Sequence, residues 1–375
     1  MDFSYSEEQQ MLQDSISKFI SQDYDWDSRQ AIAKSDAGFS TEHWQLFAEL
    51  GWLTVPFREE DGGFGGSAID LIVMMEEFGK GLLVEPFLAN TILAGTVLTE
   101  AANEEQKSIL LAPMMEGKQQ LAFAYAEPQS RYEVANVQCS AQTSGDQLVI
   151  NGHKAVVLNG EAADKLLVSV RTSNATTERD GISLIWVDVN AEGVRRKSYA
   201  NVDGQRAADI WFDNVTVPRS NLLGETGAAI DVIELAIDKA TLAVCAEAVG
   251  AMQVSLKKTV EYSKIRKQFN VTLSTFQALQ HRMANMFIEL EQSKSILLMA
   301  AMEMDRLDSR AAKALSAAKS RIGKAARLIG QESIQIHGGI GVTDELDVGH
   351  YFKRLTAIQF SFGSTDYHTT RFANA

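Results

Sequence analysis

Two short segments in the last third of the chain hold residues whose types suit anion recognition. They are RKQF (266–269), which runs into FQALQH, and QIHGGIG (335–341). Arg266 offers a fixed, permanently charged donor fork. Gly338, Gly339 and Gly341 let backbone amides approach an anionic group with no Cβ in the way. Taken singly, each also reads as an ordinary feature, a solvent-facing arginine and a turn. Other constellations carry less chemistry. His43, His153, His281, His337, His350 and His368 show no HExxH or paired ligand spacing, which argues against a metal site. Cys139 and Cys245 are far apart and read as small buried hydrophobes in a reducing compartment. The run EEDGGFGG lacks the Lys and Ser or Thr of a phosphate-binding P-loop and reads as a sharp reversal between helices. The basic run KSRIGKAAR (319–327) has the spacing of a charged helix face.

The elements that must position these residues follow an α, β, α order. Ser6 and Gln9 have capping-box spacing, and Leu12, Ile16, Phe19 and Ile20 then share one helical face. TEHWQLFAELG and AIDLIVMMEEFGKG continue the pattern, so residues 1–118 read as an N-terminal helical domain. Short β-branched runs separated by polar turns come next: LVINGHKAVVLNG, KLLVSVR, GISLIWVDV and ADIWFDNVTV. No long amphipathic helix separates them, which predicts a central antiparallel β barrel or sandwich over 119–222 and argues against a Rossmann crossover unit. Residues 223–375 return to helix as a C-terminal bundle. There Phe276, Leu279, Met283, Met286, Phe287 and Leu290 form an apolar stripe expected to pack in the core. The alanine-rich stretch 311–329 has side chains small enough for close helix contacts.

A formal charge of −14 over 375 residues leaves no basic field for phosphate backbones, so nucleic-acid binding is a poor reading. The opening MDFSYSEEQQ carries acids where a leader would carry bases, and no apolar run is long enough to insert in a membrane. A cytoplasmic enzyme is expected.

The two C-terminal motifs in this α+β arrangement resemble those of the acyl-CoA dehydrogenase family, and the likeness extends from the first helix through EEDGGFGG and the β domain to GHYFKRLTAI. One departure is Asn270, where the family more often has Gly. Within the family, QSRYEVANV, DGQRAADI, CAEAVGAM and VGHYFKR are similar to the small-subunit type of pimeloyl-CoA dehydrogenase. The resemblance implies FAD as cofactor and an acyl-CoA thioester as substrate, oxidised between its α and β carbons. It also implies electron-transferring flavoprotein as the acceptor and a neighbouring subunit as partner. It assigns Arg266, Lys267, Gln268, Phe269, Gln277, Gln335, Ile336, His337, Gly338 and Gly339 to a cofactor bound mainly by that neighbour.

The same resemblance shows what is missing. The Glu of a C-terminal YEGT-like stretch is the usual base, and FSFGSTD puts Phe362 there. A minority of the family places the base on the first helix of the C-terminal domain, where this chain has Ala240. The substrate-binding Asp survives as Asp238, but the following Arg has become Thr241. Glu247 lies seven residues beyond Ala240, two turns along the same face, and is a candidate displaced base or a structural acid. In the TEPxxGSD-like segment, AEPQSRYE keeps Glu127 and Pro128 but has Ala126 for the Thr and Tyr132 for the Ser. The WIT-like segment reads Val156, Val157, Leu158. Motifs that reach across to a neighbour's FAD thus persist, while those for the chain's own flavin ring and base are eroded. Three readings follow: a supporting subunit of a heteromer, a self-sufficient homo-oligomer using Glu247, or a non-catalytic acyl-CoA-binding module.

Overall fold

The computed structural model describes residues 5–306 and 310–375. They pack as two units, one built from the chain up to Ala31, Ser67–Leu83 and Thr241–Ala375, the other from Ile32–Gly66 and Val84–Ala240. The N-terminal helices are divided between the two units. α1 (Glu7–Asp23), most of α2 (Trp26–Lys34) and α4 (Ala68–Gly81) belong to the first, and α3 (Thr41–Glu49) to the second. The second also holds the short α5 (Gly95–Ala101), α6 (Glu104–Gln106) and α7 (Ala112–Met115). The capping box read from Ser6 and Gln9 is present, with the Gln9 N–H donating to Ser6 Oγ at 3.2 Å and the Ser6 N–H to Gln9 Oε1 at 3.0 Å.

The central strands are β1 (Leu121–Ala124), β2 (Ser140–Ser144), β3 (Gln147–Leu158), β4 (Lys165–Arg171), β5 (Ile182–Asp188), β6 (Val194–Ala200), β7 (Arg206–Pro218) and β8 (Leu222–Leu223). They form one sheet in the order β6-β7-β3-β2-β4-β5-β8. The pairing is antiparallel, as expected, except for parallel β1–β4 and a single parallel step between β2 and β4. The sheet is open, with β6 and β8 at its ends, and wraps around a core that includes Ile150, Val168, Val170, Ile185, Val187, Ile210 and Phe212. Alternation along each strand places these side chains inward.

The helices that follow are α8 (Ile230–Ile265), α9 (Gln277–Asp305), α10 (Ala311–His337), α11 (Val348–Phe360) and α12 (Thr365–Asn374). Small residues set the helix spacing. A Cβ on Gly79 of α4 would meet the Glu247 carbonyl oxygen of α8 at 2.1 Å, and one on Gly250 would meet the Glu76 carbonyl at 1.9 Å. On α10, Ala314, Ala318, Ala325 and Ala326 are buried, as the alanine-rich stretch predicts. The α9 stripe is only partly core. Met286 and Leu290 are buried, whereas Phe287 is 55% exposed. Phe287 follows Met286 by one residue, about 100° round a helix of 3.6 residues per turn, so both cannot face the same neighbour. Among the described residues no helix is long and apolar enough to cross a membrane.

Candidate functional site

The two C-terminal motifs meet along one face of α8. Lys258, Tyr262 and Arg266 recur every four residues, which aligns them on a helix. Lys258 pairs with Asp347 at 2.8 Å. The Tyr262 ring stacks on His337 with centroids 4.4 Å apart, and its hydroxyl donates to the His337 carbonyl at 3.3 Å. Arg266 continues the row just beyond the helix, its N–H bonded to the Tyr262 carbonyl, and its side chain is exposed with no ion pair among the described residues. The sequence therefore brings Arg266 and the 335–341 turn together through two partners that pattern reading did not single out.

The turn itself is selective about what it exposes. Gln335, Gly338 and Gly339 face solvent, while the Ile336 and His337 side chains are buried, so those two can offer a cofactor only their main chain. Gly338 sits at φ +68, and a Cβ on Gly341 would meet that of His337 at 2.9 Å. Gly339 has neither constraint, with nothing within 4 Å of a Cβ built on it, so its small size answers no demand inside the chain. Burial holds the His337 imidazole below its ordinary value, and its Nδ1–H donates to the Ser333 carbonyl at 2.8 Å. The positive charge available here is that of Arg266 and the neighbouring Lys267, both exposed.

Lys267, Gln268 and Phe269 stand on a two-stranded hairpin in which Val271 pairs with Gln268 and Thr272 with Lys267. Its two-residue turn, Phe269 and Asn270, has φ of +52 and +65, the mirror-image turn that suits strand twist. Asn270, the departure from the family's Gly, is the side-chain type that tolerates this conformation best. Phe269 is 88% exposed on the hairpin tip, and Gln277 is exposed at the start of α9. At Phe269 the left-handed backbone is a local strain for a non-glycine residue.

The positions that the resemblance assigns to the base carry no acid. Ala240 and Thr241 are wholly buried in α8, and Asp238 is half-buried. Phe362 has φ +55 in a loop held from two sides. The Lys319 ammonium, 1% exposed, donates to the carbonyls of Ile358 and Gly363 at 2.9 Å and of Gln359 at 3.4 Å. The His368 Nε2–H donates to the Phe362 carbonyl at 2.9 Å. Glu247 is buried and clamped by Arg354, with Nε to Oε1 at 2.5 Å and Nη2 to Oε2 at 2.6 Å. Both carboxylate oxygens are thus engaged by a fork–fork contact between α8 and α11. This favours the structural reading of Glu247, whose oxygens are buried and turned toward Arg354.

In the β unit, the AEP and VVL segments are neighbours: the Ala155 N–H donates to the Ala126 carbonyl at 2.9 Å. A buried ion pair fixes the turn. Lys154 Nζ meets Glu127 Oε1 at 2.7 Å, Ser169 Oγ at 3.0 Å and the Tyr125 carbonyl at 3.2 Å. Burial pushes the Glu127 carboxyl up, but Lys154 together with Gln129 and the Gln138 N–H outweighs it and holds the group below its ordinary value. Arg131, where the TEPxxGSD pattern has Gly, keeps the left-handed backbone at φ +48. A bulge between Lys154 and Val157 throws Val156 outward, 54% exposed at φ +53, with its N–H on Asp209 Oδ1 at 3.1 Å. The backbone of the edge that the resemblance assigns to the flavin ring is ordered. The hydroxyl- and aromatic-bearing residues that it implies there are replaced by Ala126, Tyr132, Val156 and Leu158.

A helical, β-sheet, helical chain with a glycine turn docked on one long helix and an arginine just beyond it has the arrangement of the flavoprotein dehydrogenases it resembles. The chain belongs to the acyl-CoA dehydrogenase family: the N-terminal domain model matches 6–118, the middle domain 122–215 and the C-terminal domain 230–375. It is 29% identical to the probable acyl-CoA dehydrogenase YngJ of Bacillus subtilis, over 98% of this chain and 97% of that one. It is 28% identical to the caffeyl-CoA reductase-Etf complex subunit CarC of Acetobacterium woodii, over 93% of each. Among solved structures, the steroid ACAD Tcur3481-Tcur3483 G363A variant superposes with a TM-score of 0.87 at 27% identity, covering 98% of this chain and 97% of that one. The FAD complex of PigA superposes with a TM-score of 0.92 at 25% identity, covering 100% and 98%. FAD is the family's cofactor. The open Gly339 and uncommitted Arg266 fit an anionic cofactor, whereas the β unit lacks the side chains that hold its ring.

Proposed function

We propose that this chain is the supporting subunit of a heteromeric acyl-CoA dehydrogenase of the cytoplasm. A second subunit of the same family would carry the catalytic base and most of the flavin site. The observation that carries this is an asymmetry within one chain: Arg266 is exposed with no ion pair among the described residues, one helical turn beyond the residue that docks an open glycine turn, while the expected base positions hold Phe362, Ala240 and an Arg354-bound Glu247. The two-part designation of the steroid ACAD Tcur3481-Tcur3483 and the complex named for CarC are consistent with shared assemblies.

In the shared site, a carboxylate of the other subunit removes the α proton of the acyl-CoA thioester. FAD, held there, would supply hydride acceptance, with an electron-transferring flavoprotein as its oxidant. This chain's residues would do no proton transfer. Arg266 would hold an anionic part of the cofactor through its fork, Gly338 and Gly339 would present backbone amides to it, and the apolar Phe269 tip would keep water from its surface. Asp238 remains as the substrate-side contact.

Purified alone, the chain should be colourless, becoming yellow and active only when co-expressed with its partner. Bound FAD bleached by an acyl-CoA in the isolated chain would overturn the proposal. Arg266→Ala should lower the FAD content of the mixed complex about tenfold or more, given the strength of charged hydrogen bonds.

A further inference from the structure

We infer that Tyr262 is a positioning residue for the cofactor turn, clasping His337 to α8 so that Gly338, Gly339 and Arg266 are held in one geometry. This rests on the reading in which Arg266 and the turn grip FAD. Tyr262 is one turn of α8 before Arg266, and the Arg266 N–H still bonds to the Tyr262 carbonyl at 2.9 Å. The same residue therefore fixes the base of the arginine by its main chain and the base of the turn by its side chain.

Its grip on the turn is double. The ring stacks on His337 at 4.4 Å with planes 26° apart, and the hydroxyl donates at 3.3 Å to the carbonyl that directly precedes Gly338. His337 is fixed on its other side by Ser333, to whose carbonyl its Nδ1–H donates at 2.8 Å. The Gly338 N–H closes the end of α10 on the Ile334 carbonyl. Among the described residues outside their immediate chain neighbours, none comes within 4 Å of a Cβ built on Gly338 or Gly339. With no packing on that side, the two glycines take their placement from the short 3-10 turn Gly338–Val342, whose buried Gly341 is so close to His337 that a Cβ there would meet the histidine's own at 2.9 Å. His337 is thus the side chain at the root of the turn from both directions. Lys258, one turn earlier on α8, repeats the connection through Asp347 at 2.8 Å and bounds the far side of the segment.

The clasp separates two contributions that variants can isolate. Tyr262→Phe keeps the stack and loses the hydroxyl; Tyr262→Leu loses both. Hydrogen exchange of segment 335–341 in the full-length chain and equilibrium dialysis of FAD against the assembly purified through a tag on this chain provide two readouts. Exchange should quicken slightly in Tyr262→Phe and strongly in Tyr262→Leu. FAD affinity should fall about threefold and about tenfold respectively, in line with one neutral hydrogen bond and one ring contact. The exchange of 241–256 should remain unchanged, marking α8 as intact. Unchanged exchange at 335–341 in Tyr262→Leu would overturn the clasp whatever FAD does. Quickened exchange with unaltered FAD affinity, while Arg266→Ala still weakens it, would reduce Tyr262 to a structural residue and overturn the positioning role. If neither Arg266→Ala nor Tyr262→Leu changes FAD affinity, the proposed cofactor reach fails and the positioning role falls with it.

Discussion

Glu247 shows how a residue's chemistry is settled by its partner. A buried carboxylate with both oxygens held by Arg354 is a tie between α8 and α11. Removing one member leaves the other charged and unsatisfied in the interior. Glu247→Leu should therefore lower unfolding free energy by about 3–5 kcal/mol in urea titrations, whereas adding Arg354→Met should restore most of the loss. If Glu247 were instead a displaced base, Glu247→Gln would abolish turnover in the assembled enzyme without altering the urea midpoint. The sequence shows Glu247 at the right helical spacing from Ala240, but Arg354 is 107 residues away, and no local pattern reveals a contact that only folding makes. The Glu127–Lys154 pair was hidden for the same reason, with the motif marking the acid and nothing marking the buried base that satisfies it. What was legible at this scale were residues whose type is itself the signal, such as Arg266, the glycines and the phenylalanine at 362.

At the scale of elements, close approach and backbone conformation decide what can change. Gly79 and Gly250 let α4 and α8 touch backbone to backbone, so Gly250→Ala, whose Cβ would meet the Glu76 carbonyl at 1.9 Å, should cost about 1–3 kcal/mol or more and lower the melting midpoint. The hairpin tip behaves oppositely. Asn270→Gly should be nearly neutral at φ +65, while Asn270→Val should destabilise the tip by about 1–2 kcal/mol, seen as faster exchange at 266–276. The loop at 358–363 carries a pH signature. Burial holds Lys319 down to about 8 from an ordinary 10.5. Between those values the unfolded chain binds the extra proton, so this group's contribution to stability rises with pH from about 8 to about 10.5. Buried Cys245, pushed up to about 12, works in the other direction above its ordinary 9.0. The difference between wild type and Lys319→Met denaturation curves should isolate the lysine slope. Periodicity and composition identified α1, α4 and the alanine-rich α10; α4, buried on nearly every side, reads as helix from its apolar content and cap and not from one face. Periodicity misjudged α9, whose apolar residues wrap past a single face and leave Phe287 in solvent.

At the scale of the whole molecule, the order of helical, β and helical segments was readable from texture alone. The division of the N-terminal helices between two packing units was not, since it depends on contacts across hundreds of residues. The assembly proposed here has a countable consequence. A complex of equal numbers of this chain and its partner should hold one FAD for every two chains, measured by flavin absorbance against protein mass, whereas a homo-oligomer with a full site in each chain would hold twice that.

The Lys319 anchor has one more implication. Its ammonium grips main-chain oxygens and ignores the side chain at 362, and His368 does the same from the other side. The loop's shape is therefore independent of whether a carboxylate or a benzyl group hangs from it. In a lineage where one gene has become two, such a position is a free variable: acidity can be surrendered in one copy and kept in the other by a few nucleotide changes, with no remodelling of the loop that carries it.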